Sequence, residues 1–497
     1  MQEYYLGIDI GTGSAKAVAV DLVGTPFATS QFHYSTFSTQ PTFCEQDPEV
    51  IWDAFCGCIK EIVDKTGCEP LTICLSSVMH SLIGVNEQGK ALTQLITWTD
   101  ARSAEIAEIL RNDPAGRAIY MLTGTPIYSM SPLTKIMWFK SHVPELFTRI
   151  FKFISIKEYI WFKLFNEFQI DYSVASATGL FDIINKKWCI EALELAGITA
   201  EKLSNAVNTK YLRTDLSALG ISRLSLKNSI PFIIGASDGC LANLGTLAIS
   251  SGCAALTIGT SGAVRIASEH PIPNFEAMTF SYCLDDSTYI CGGPLNNGGI
   301  AVQWLLKQFL NIESPSNSDY NKLFESIETV EPGCKGLIFL PYLTGERAPV
   351  WDTKSCGNFL GVRLHHKQVD FTKAVLEGIC FALRQVLEIV DTNHDIDVLH
   401  VSGGFTSSIV WIQMLADITG KKICLVSTQD ASAVGAVYLG MKALNIIKDY
   451  SDITLQSGST IYPTEKNAAV YNRNYSIFQH LYANLKEPMH RLYADNN

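Results

Sequence analysis

No CxxC pair occurs anywhere in this chain of 497 residues, although it holds 14 cysteines. The nearest approach, Cys56 and Cys58, lacks a partner pair at zinc-site spacing. Cys74, Cys240, Cys380 and Cys424 lie in apolar stretches, where a thiol packs as a small hydrophobe, so a disulfide scaffold is not expected either. A run of 18 apolar residues is also missing, which argues against a membrane span. The opening stretch MQEYYLGIDIGTG has no basic region followed by an apolar one. No signal peptide is therefore expected, and a reducing cytoplasm is the expected compartment. Basic charge is scarce: 38 Lys and Arg against 49 Asp and Glu give a formal charge of −11. That argues against nucleic acid as a partner. Small anions are a separate matter, because local groups hold them.

Apolar residues are plentiful. With 47% hydrophobic and 18% charged residues, the chain reads as well cored, and its length predicts two large domains. The most informative stretch is 231–263. Phe232-Ile233-Ile234 has strand character and stops at Gly235-Ala236-Ser237-Asp238; residues 239–249 then predict a small-residue helix. A second strand, 255–258, breaks at Gly259-Thr260-Ser261-Gly262. One carboxylate, Asp238, thus sits at a strand-to-helix junction ahead of a turn whose amides suit a phosphate. An acceptor-side base and a phosphate cradle are what phosphoryl transfer brings together. Taken singly, an Asp there also reads as a helix N-cap and the turn as an ordinary connection.

A second copy of the turn weighs against the plainer reading. Residues 4–10 predict a strand with Asp9 near its end, Gly11-Thr12-Gly13-Ser14 a turn, and 15–21 the returning strand. Two such hairpins half a chain apart suggest two domains of similar core topology. Asp9 suits Mg²⁺, which takes one or two carboxylates, water and phosphate oxygens; it also suits a turn-stabilising role. Asp47-Pro48 announces a helix to about Lys65. A buried strand at 71–77 and a hairpin from 82–85 and 92–98 bring His80 and Trp98 to strand ends, where α/β sheets bind ligands. Residues 130–138 read as a loop entering an amphipathic helix, and 152–164 as a further helix with core aromatics. Residues 172–179 are Ser/Ala-rich and polar, and 185–227 small helices and loops. After the second hairpin, 291–299 predicts the opening of a helix carrying Gln303 and Trp304. A strand at 337–342 leads to a polar loop with one fixed cation, Arg347, followed by a long helix at 371–390. A βαβα passage then covers 398–444, its Gly403-Gly404 turn permitting close approach of a nucleoside. The polar, tyrosine-rich tail after Asn445 carries no catalytic signal.

These segments resemble the FGGY carbohydrate kinases, whose superfamily shares its ATPase core with actin and the sugar kinases. The likeness runs from Leu6 to about Leu444 and includes both turns, MSPLTKIMW and SGGFTSSIVWIQMLADITG. CEQDP, SSVMHSLIG, ITWTDAR and PYLTGERAPVW bring it nearest to the gluconokinase branch. Xylulokinases, sharing the Met-His pair and the Asp-Gly, come next; glycerol kinases carry Arg-Glu where this chain has Met79-His80. The resemblance implies an α/β, two-domain duplicated actin-like ATPase (ribonuclease H-like) fold. Its nucleotide and sugar cleft would lie between domains 1–248 and 249–497.

The same resemblance implies ATP and Mg²⁺ as cofactors and a small sugar acid or sugar as partner, and it leaves a homodimer open. Asp238 is implied as the base, Asp9 as the metal ligand, and Met79, His80, Trp98 and Arg347 as the sugar site. Thr12, Gly13, Ser14, Lys16, Gly259 and Thr260 would face the outer phosphates. Gly299 and Gln303 would flank the nucleotide, and Gly404 and Ser408 the adenosine. Lys16 stands where some relatives carry Arg, and Ser408 where some carry Asn. The implied reaction is phosphorylation of the terminal hydroxyl of D-gluconate, with xylulose or another pentulose or polyol as the alternative. A nucleotide-dependent binding protein without turnover has no use for Asp238. A gluconate carboxylate would need a cation or donor, for which His80, Arg102, Lys135 and Arg347 are the candidates.

Overall fold

Two mixed β-sheets with one strand order carry the chain, as seen in a computed structural model that describes residues 2–227, 229–392, 395–426, 430–453 and 458–496. In the first sheet β1 (Tyr5–Ile10), β2 (Ser14–Val20) and β3 (Pro26–His33) form an antiparallel meander. β4 (Thr72–Ser77) and β5 (Phe232–Ser237) extend it in parallel from the β1 side, and Leu212–Arg213 closes that edge. Between β3 and β4 runs α1 (Pro48–Thr66), with Pro48 at its first position and Asp47 accepting from the Glu49 amide at 2.8 Å. From β5 the chain turns directly into α2 (Asp238–Gly245).

The second sheet repeats the plan. β6 (Cys253–Ile258) and β7 (Gly262–Ser268) form the hairpin, β8 (Phe280–Cys283) is an added edge strand, and β9 (Tyr289–Leu295) pairs with β7. After α3 (Gln368–Val390) come β10 (Val398–Ser402), α4 (Ile409–Thr419), β11 (Lys422–Leu425) and α5 (Ala431–Ala443). β10 lies parallel to β6 and β11 parallel to β10. Three antiparallel strands followed by two parallel ones thus occur twice, the duplication that the paired turns announce.

The two halves are not merely juxtaposed. α5, from the second half, lies across β1, β4 and β5 of the first sheet and crosses α2. Glycines let the backbones meet. A Cβ on Gly435 would stand 2.0 Å from the Leu241 carbonyl oxygen, one on Gly245 2.0 Å from that of Ala431, and one on Gly7 2.0 Å from that of Ala433. Around these contacts Leu241, Leu244, Val434 and Val437 are fully buried.

Several local expectations need correction. The 82–85 and 92–98 segments do meet across the Gly89 turn, through the antiparallel bridges Val85–Ala91 and Leu82–Ile96 and the Leu92 amide donating to the Gly84 oxygen at 2.7 Å, but they form no continuous ladder. Their strands pair elsewhere, Ile83–Val85 with Lys152–Ile154 and Leu95–Ile96 with Glu45–Gln46. Residues 152–154 are therefore strand, and the helix expected from 152 begins at Ile156. Ser155 and Glu158 close a capping box there, which fixes the start. Residues 291–295 are the end of β9, not the mouth of a helix; Gly292 permits the close pairing, since a Cβ there would stand 2.1 Å from the Val264 oxygen. Residues 172–176 form a short helix. The tail holds a helix over Glu465–Asn496, whose Tyr471, Tyr475, Phe478 and Leu481 are buried. Among the described residues no helix is long and apolar enough to cross a membrane.

The helix crossing yields a direct test. In Gly435→Val the better helix propensity of Val gives back well under ~1 kcal/mol, whereas parting two backbones in a packed seam costs about 2–3 kcal/mol or more. Thermal unfolding of the variant is expected at a clearly lower midpoint; an unchanged midpoint would mean that the helices do not touch as described.

Candidate active site

A cavity of about 980 Å³ opens between the sheets, beside the α2–α5 crossing. Of the residues expected at the site, Thr12, Lys16, Met79, His80, Trp98, Asp238, Gly259 and Arg347 line it together. Asp9, Gly13, Ser14, Thr260, Gly299, Gln303, Gly404 and Ser408 lie off its wall. Gly13, Gly259 and Gly404 each face open space where a Cβ would point. Gly299 is packed on the second turn, its amide donating to the Gly259 oxygen at 2.7 Å, and the Thr260 oxygen accepts from the Ile300 amide at 3.0 Å. Gln303 is exposed on the helix Gly299–Trp304. Ser14 accepts from Gln31 Nε2 at 2.8 Å. Ser408 is buried and caps α4, its Oγ accepting from the Trp411 amide at 3.3 Å.

Asp238 is positioned by a deliberate irregularity. β5 bulges at Gly235, whose φ of 70° and position 1.7 Å (at a would-be Cβ) from the Leu75 oxygen admit only glycine. Just beyond, the buried Lys157 donates to the Ala236 oxygen at 2.9 Å and to Asp171 Oδ2 at 2.7 Å. Ser173 Oγ accepts from the Ser237 amide at 3.1 Å. The Ser/Ala-rich segment is thus the brace that fixes the junction. Ser237 occupies the N-cap position and Asp238 the first helical one, with its carboxylate accepting from the Gly239 amide at 2.7 Å. The carboxyl is pushed up to about 7, chiefly by burial and then by the charge of Asp9, against the Gly239 amide, Arg265 and Lys157.

Each turn is closed by the amide of its first glycine, Gly11 N donating to Ser14 O at 3.0 Å and Gly259 N to Ser261 O at 2.9 Å, the second turn being one residue shorter. Their flanks differ. Asp9 stands opposite Lys16 on β2 and Ser76 on β4, with Ser76 Oγ donating to Asp9 Oδ1 at 2.6 Å. The matching place on β6 is Thr257, opposite Ala263 and beside Ser402. Only one turn therefore carries an acid. Burial raises the Asp9 carboxyl, with Asp430 adding to the rise and Ser76, Lys16 and Lys157 opposing it. Lys16 is ion-paired with Asp430, just ahead of α5, linking the first turn to the second half. Among the described residues no group of three His, Cys, Asp or Glu could hold a metal on its own. A cation at Asp9 would complete its shell from phosphate oxygens and water, as Mg²⁺ does.

At the other end of the cavity Trp98 Nε1 donates to Thr12 Oγ1 at 2.9 Å, and the Arg347 guanidinium lies 5.4 Å over the Trp98 ring. Among the described residues the Arg347 guanidinium bonds only neutral groups, Asn296 Oδ1 at 2.7 Å and the Leu295 oxygen at 2.8 Å. His80 is held at φ 63° by the buried Lys135, which donates to the His80 oxygen at 2.6 Å and the Thr97 oxygen at 2.7 Å. Burial, with Lys135 and Arg347 nearby, pushes the imidazole down to about 3. The neutral ring donates from Nδ1 to the Ala177 oxygen at 2.7 Å, which leaves Nε2 an acceptor, 3.4 Å from Tyr282 Oη.

Two candidate cations are corrected. Arg102 is spent on Asp100 and Glu45 and stacks 3.7 Å over Phe43, away from the cavity. Lys135 is fully buried beneath the two backbone carbonyls it joins. Wall residues that escape the sequence reading include Arg265 on β7, Tyr282 on β8 and Asp430 ahead of α5. A lone charge within the apolar strand GAVRIAS is the signal for the first; Tyr282 gives none.

Comparison with known proteins identifies the family and the fold. Residues 4–245 match the N-terminal domain of the FGGY family of carbohydrate kinases, and residues 254–444 its C-terminal domain. The chain is 37% identical over 491 residues to a gluconokinase of Bacillus licheniformis, covering 97% of this chain and 96% of that one. The crystal structure of a gluconate kinase from Lactobacillus acidophilus superposes with a TM-score of 0.92 at 32% identity, covering 98% of each chain. A ligand-bound xylulose kinase from Lactobacillus acidophilus gives 0.92 and 32% as well, covering 97% of this chain and 98% of that one. The architecture is the two-domain actin-like ATPase fold, and the chain belongs to the FGGY family of carbohydrate kinases.

Proposed function

We propose that this chain transfers the γ-phosphoryl group of ATP to the terminal primary hydroxyl of D-gluconate, in the cytoplasm, with domains 1–248 and 249–497 forming the two walls of the cleft. One observation carries the reading. Asp238, an acid with a raised pKa, shares a single cavity with Thr12 and Gly259 of the two turns. The likeness to gluconokinases names the acceptor.

The transition state of phosphoryl transfer is loose, so positioning and charge neutralisation outweigh covalent assistance from the protein. Asp238 orients the acceptor hydroxyl and takes its proton as the new O–P bond forms and the bond to the ADP oxygen breaks. The amides of the turns at 11–14 and 259–261 hold phosphate oxygens from opposite sides. Mg²⁺, held by Asp9 with phosphate oxygens and water, would supply further neutralisation of the charge. Neutral His80 offers Nε2 as an acceptor to a sugar hydroxyl, with Trp98 beside it. Lys16 holds the first turn to the second half through Asp430.

ADP release measured across gluconate, xylulose, ribulose, glycerol and no sugar tests the reading. Gluconate is expected to give the highest kcat/KM, and hydrolysis without any sugar as the main activity would overturn it. Asp238→Asn is expected to lower kcat by about 10²- to 10⁴-fold with little change in KM; near-normal turnover would remove Asp238 from the chemistry. The pH profile gives an independent check. A carboxylate with a pKa near 7 is protonated, and useless as a base, below that value. The rate should therefore rise with pH through about 7, whereas a base at the ordinary Asp value would leave the profile flat from about pH 5.5 to about 8.

A further inference from the structure

The second sheet sets a guanidinium into the acceptor end of the cavity and gives it nothing to bind. Arg265 shares its face of β7 with Ala263, two residues nearer the turn, and both line the cleft. Its strand neighbours are Ala255 on β6 and Gly292 on β9, so no side chain beside it competes for the space above the sheet. The guanidinium reaches the first turn of α2, where a Cβ on Gly239 would lie 3.6 Å from Arg265 Nε. Among the described residues it has neither an ion-pair partner within 4.0 Å nor a hydrogen bond.

Its surroundings make that costly. Ala263, Phe280 and Pro294 form the adjoining wall, and Met79 faces it. The like charge of Arg265 stands close enough to disfavour ionisation of Arg347, and both guanidiniums act on Tyr282. The cavity thus holds two guanidiniums at its acceptor end against the single carboxylate of Asp238. Arg347 spends two of its donors on Asn296 and Leu295 and keeps the remainder free, while all those of Arg265 are free. Forks of this kind match a carboxylate, and charge-assisted hydrogen bonds in a partly dry site are the strong ones.

We infer that Arg265, together with Arg347, binds the carboxylate of an aldonate acceptor and is the residue that selects a sugar acid over a neutral sugar. The inference rests on the gluconate reading above and adds the group that enforces it. The competing assignment for Arg265 is the transferring phosphoryl group. Its place on the strand speaks against that. Two residues at about 3.3 Å each set it roughly 7 Å beyond Ala263, away from the turn that would hold phosphate.

Steady-state kinetics with D-gluconate, D-glucitol and a ketopentose, on the wild type, Arg265→Met and Arg265→Lys, tests this. Wild-type turnover of gluconate reads the underlying function; the variant-to-wild-type ratios read the role of Arg265. Arg265→Met is expected to raise KM for gluconate about 10- to 100-fold, the range for one lost charge-assisted hydrogen-bonding partner. Its preference for gluconate over the neutral acceptors should fall by the same factor, and Arg265→Lys should recover part of it. A fall in kcat of equal size for every acceptor, with preference unchanged, would assign Arg265 to the phosphoryl group and overturn the inference. So would an unchanged KM for gluconate in a variant that still unfolds at the wild-type midpoint. A wild type that does not phosphorylate gluconate would instead sink the function on which the inference rests.

Discussion

Backbone contact between α2 and α5 is the constraint on which the rest of the molecule depends. α2 starts with Asp238, and α5 follows directly on Asp430, the partner of Lys16. With glycines at 245 and 435 the helices meet with no side chain between them. Interiors packed at this density do not deform smoothly. The acid of one wall and the ion pair that ties the first turn to the other wall therefore occupy one rigid seam. Movement between the halves has to be a rotation about that seam, since sliding would drive carbonyl oxygens into Cα atoms. Such a rotation changes the width of the cleft while leaving Asp238 near its axis.

The electrostatics of the cleft follow from this placement. Asp9, Asp238 and Asp430 are close enough for Asp9 to feel Asp430 and for Asp238 to feel Asp9. The opposing charges come from below and beside them: Lys157 from the brace, Lys16 from β2, Arg265 from β7. Among the described residues none of the three acids has a bidentate partner, and burial, the largest cause, sets the Asp238 carboxyl high. A buried carboxylate without full compensation is unfavourable for folding and useful for accepting a proton, since its pKa lies near that of the medium. The glycine bulge at 235 and the Lys157–Asp171 pair hold it in place against that cost.

Much of this was legible in the residues and some was not, for physical reasons. The hairpins and the Asp238 junction stand out because turns need Gly, Thr and Ser at fixed places and because strands of alternating or β-branched residues flank them. Duplication could be read from the repeated turn; the strand order of each sheet could not. Over 82–98 the hairpin pattern finds two segments that the structure does bridge, but not their outer partners: only the rest of the fold shows that Ile83–Val85 pairs with Lys152–Ile154 and Leu95–Ile96 with Glu45–Gln46. The helix of the Tyr-rich tail is not legible in the sequence because it buries scattered aromatics on a polar background. At the site, nearness in sequence to a recognisable motif is a poor guide to which cation reaches the cleft. Arg102 satisfied that criterion, yet Asp100 and Glu45, two and 57 residues away, absorb it. Arg265 failed it, being a single charge inside a strand.

The two hairpins also show how a duplicated element divides labour. In the first, the cation Lys16 lies directly opposite the acid Asp9, next to the turn, where charges of both signs serve a metal–phosphate complex. In the second, the corresponding pair is Thr257 and Ala263, both uncharged, and the cation is displaced by two residues to Arg265. A shift of two keeps the side chain on the same face, because the strand period is two, while moving it along the sheet by about 7 Å. That displacement carries positive charge from where phosphate would lie to where the acceptor would lie. One ancestral plan thus yields a neutral cradle with a charged acceptor wall on one side of the cleft and a charged cradle on the other. The asymmetry between the turns, more than their likeness, is what makes the cleft suited to joining a nucleotide to an anionic sugar.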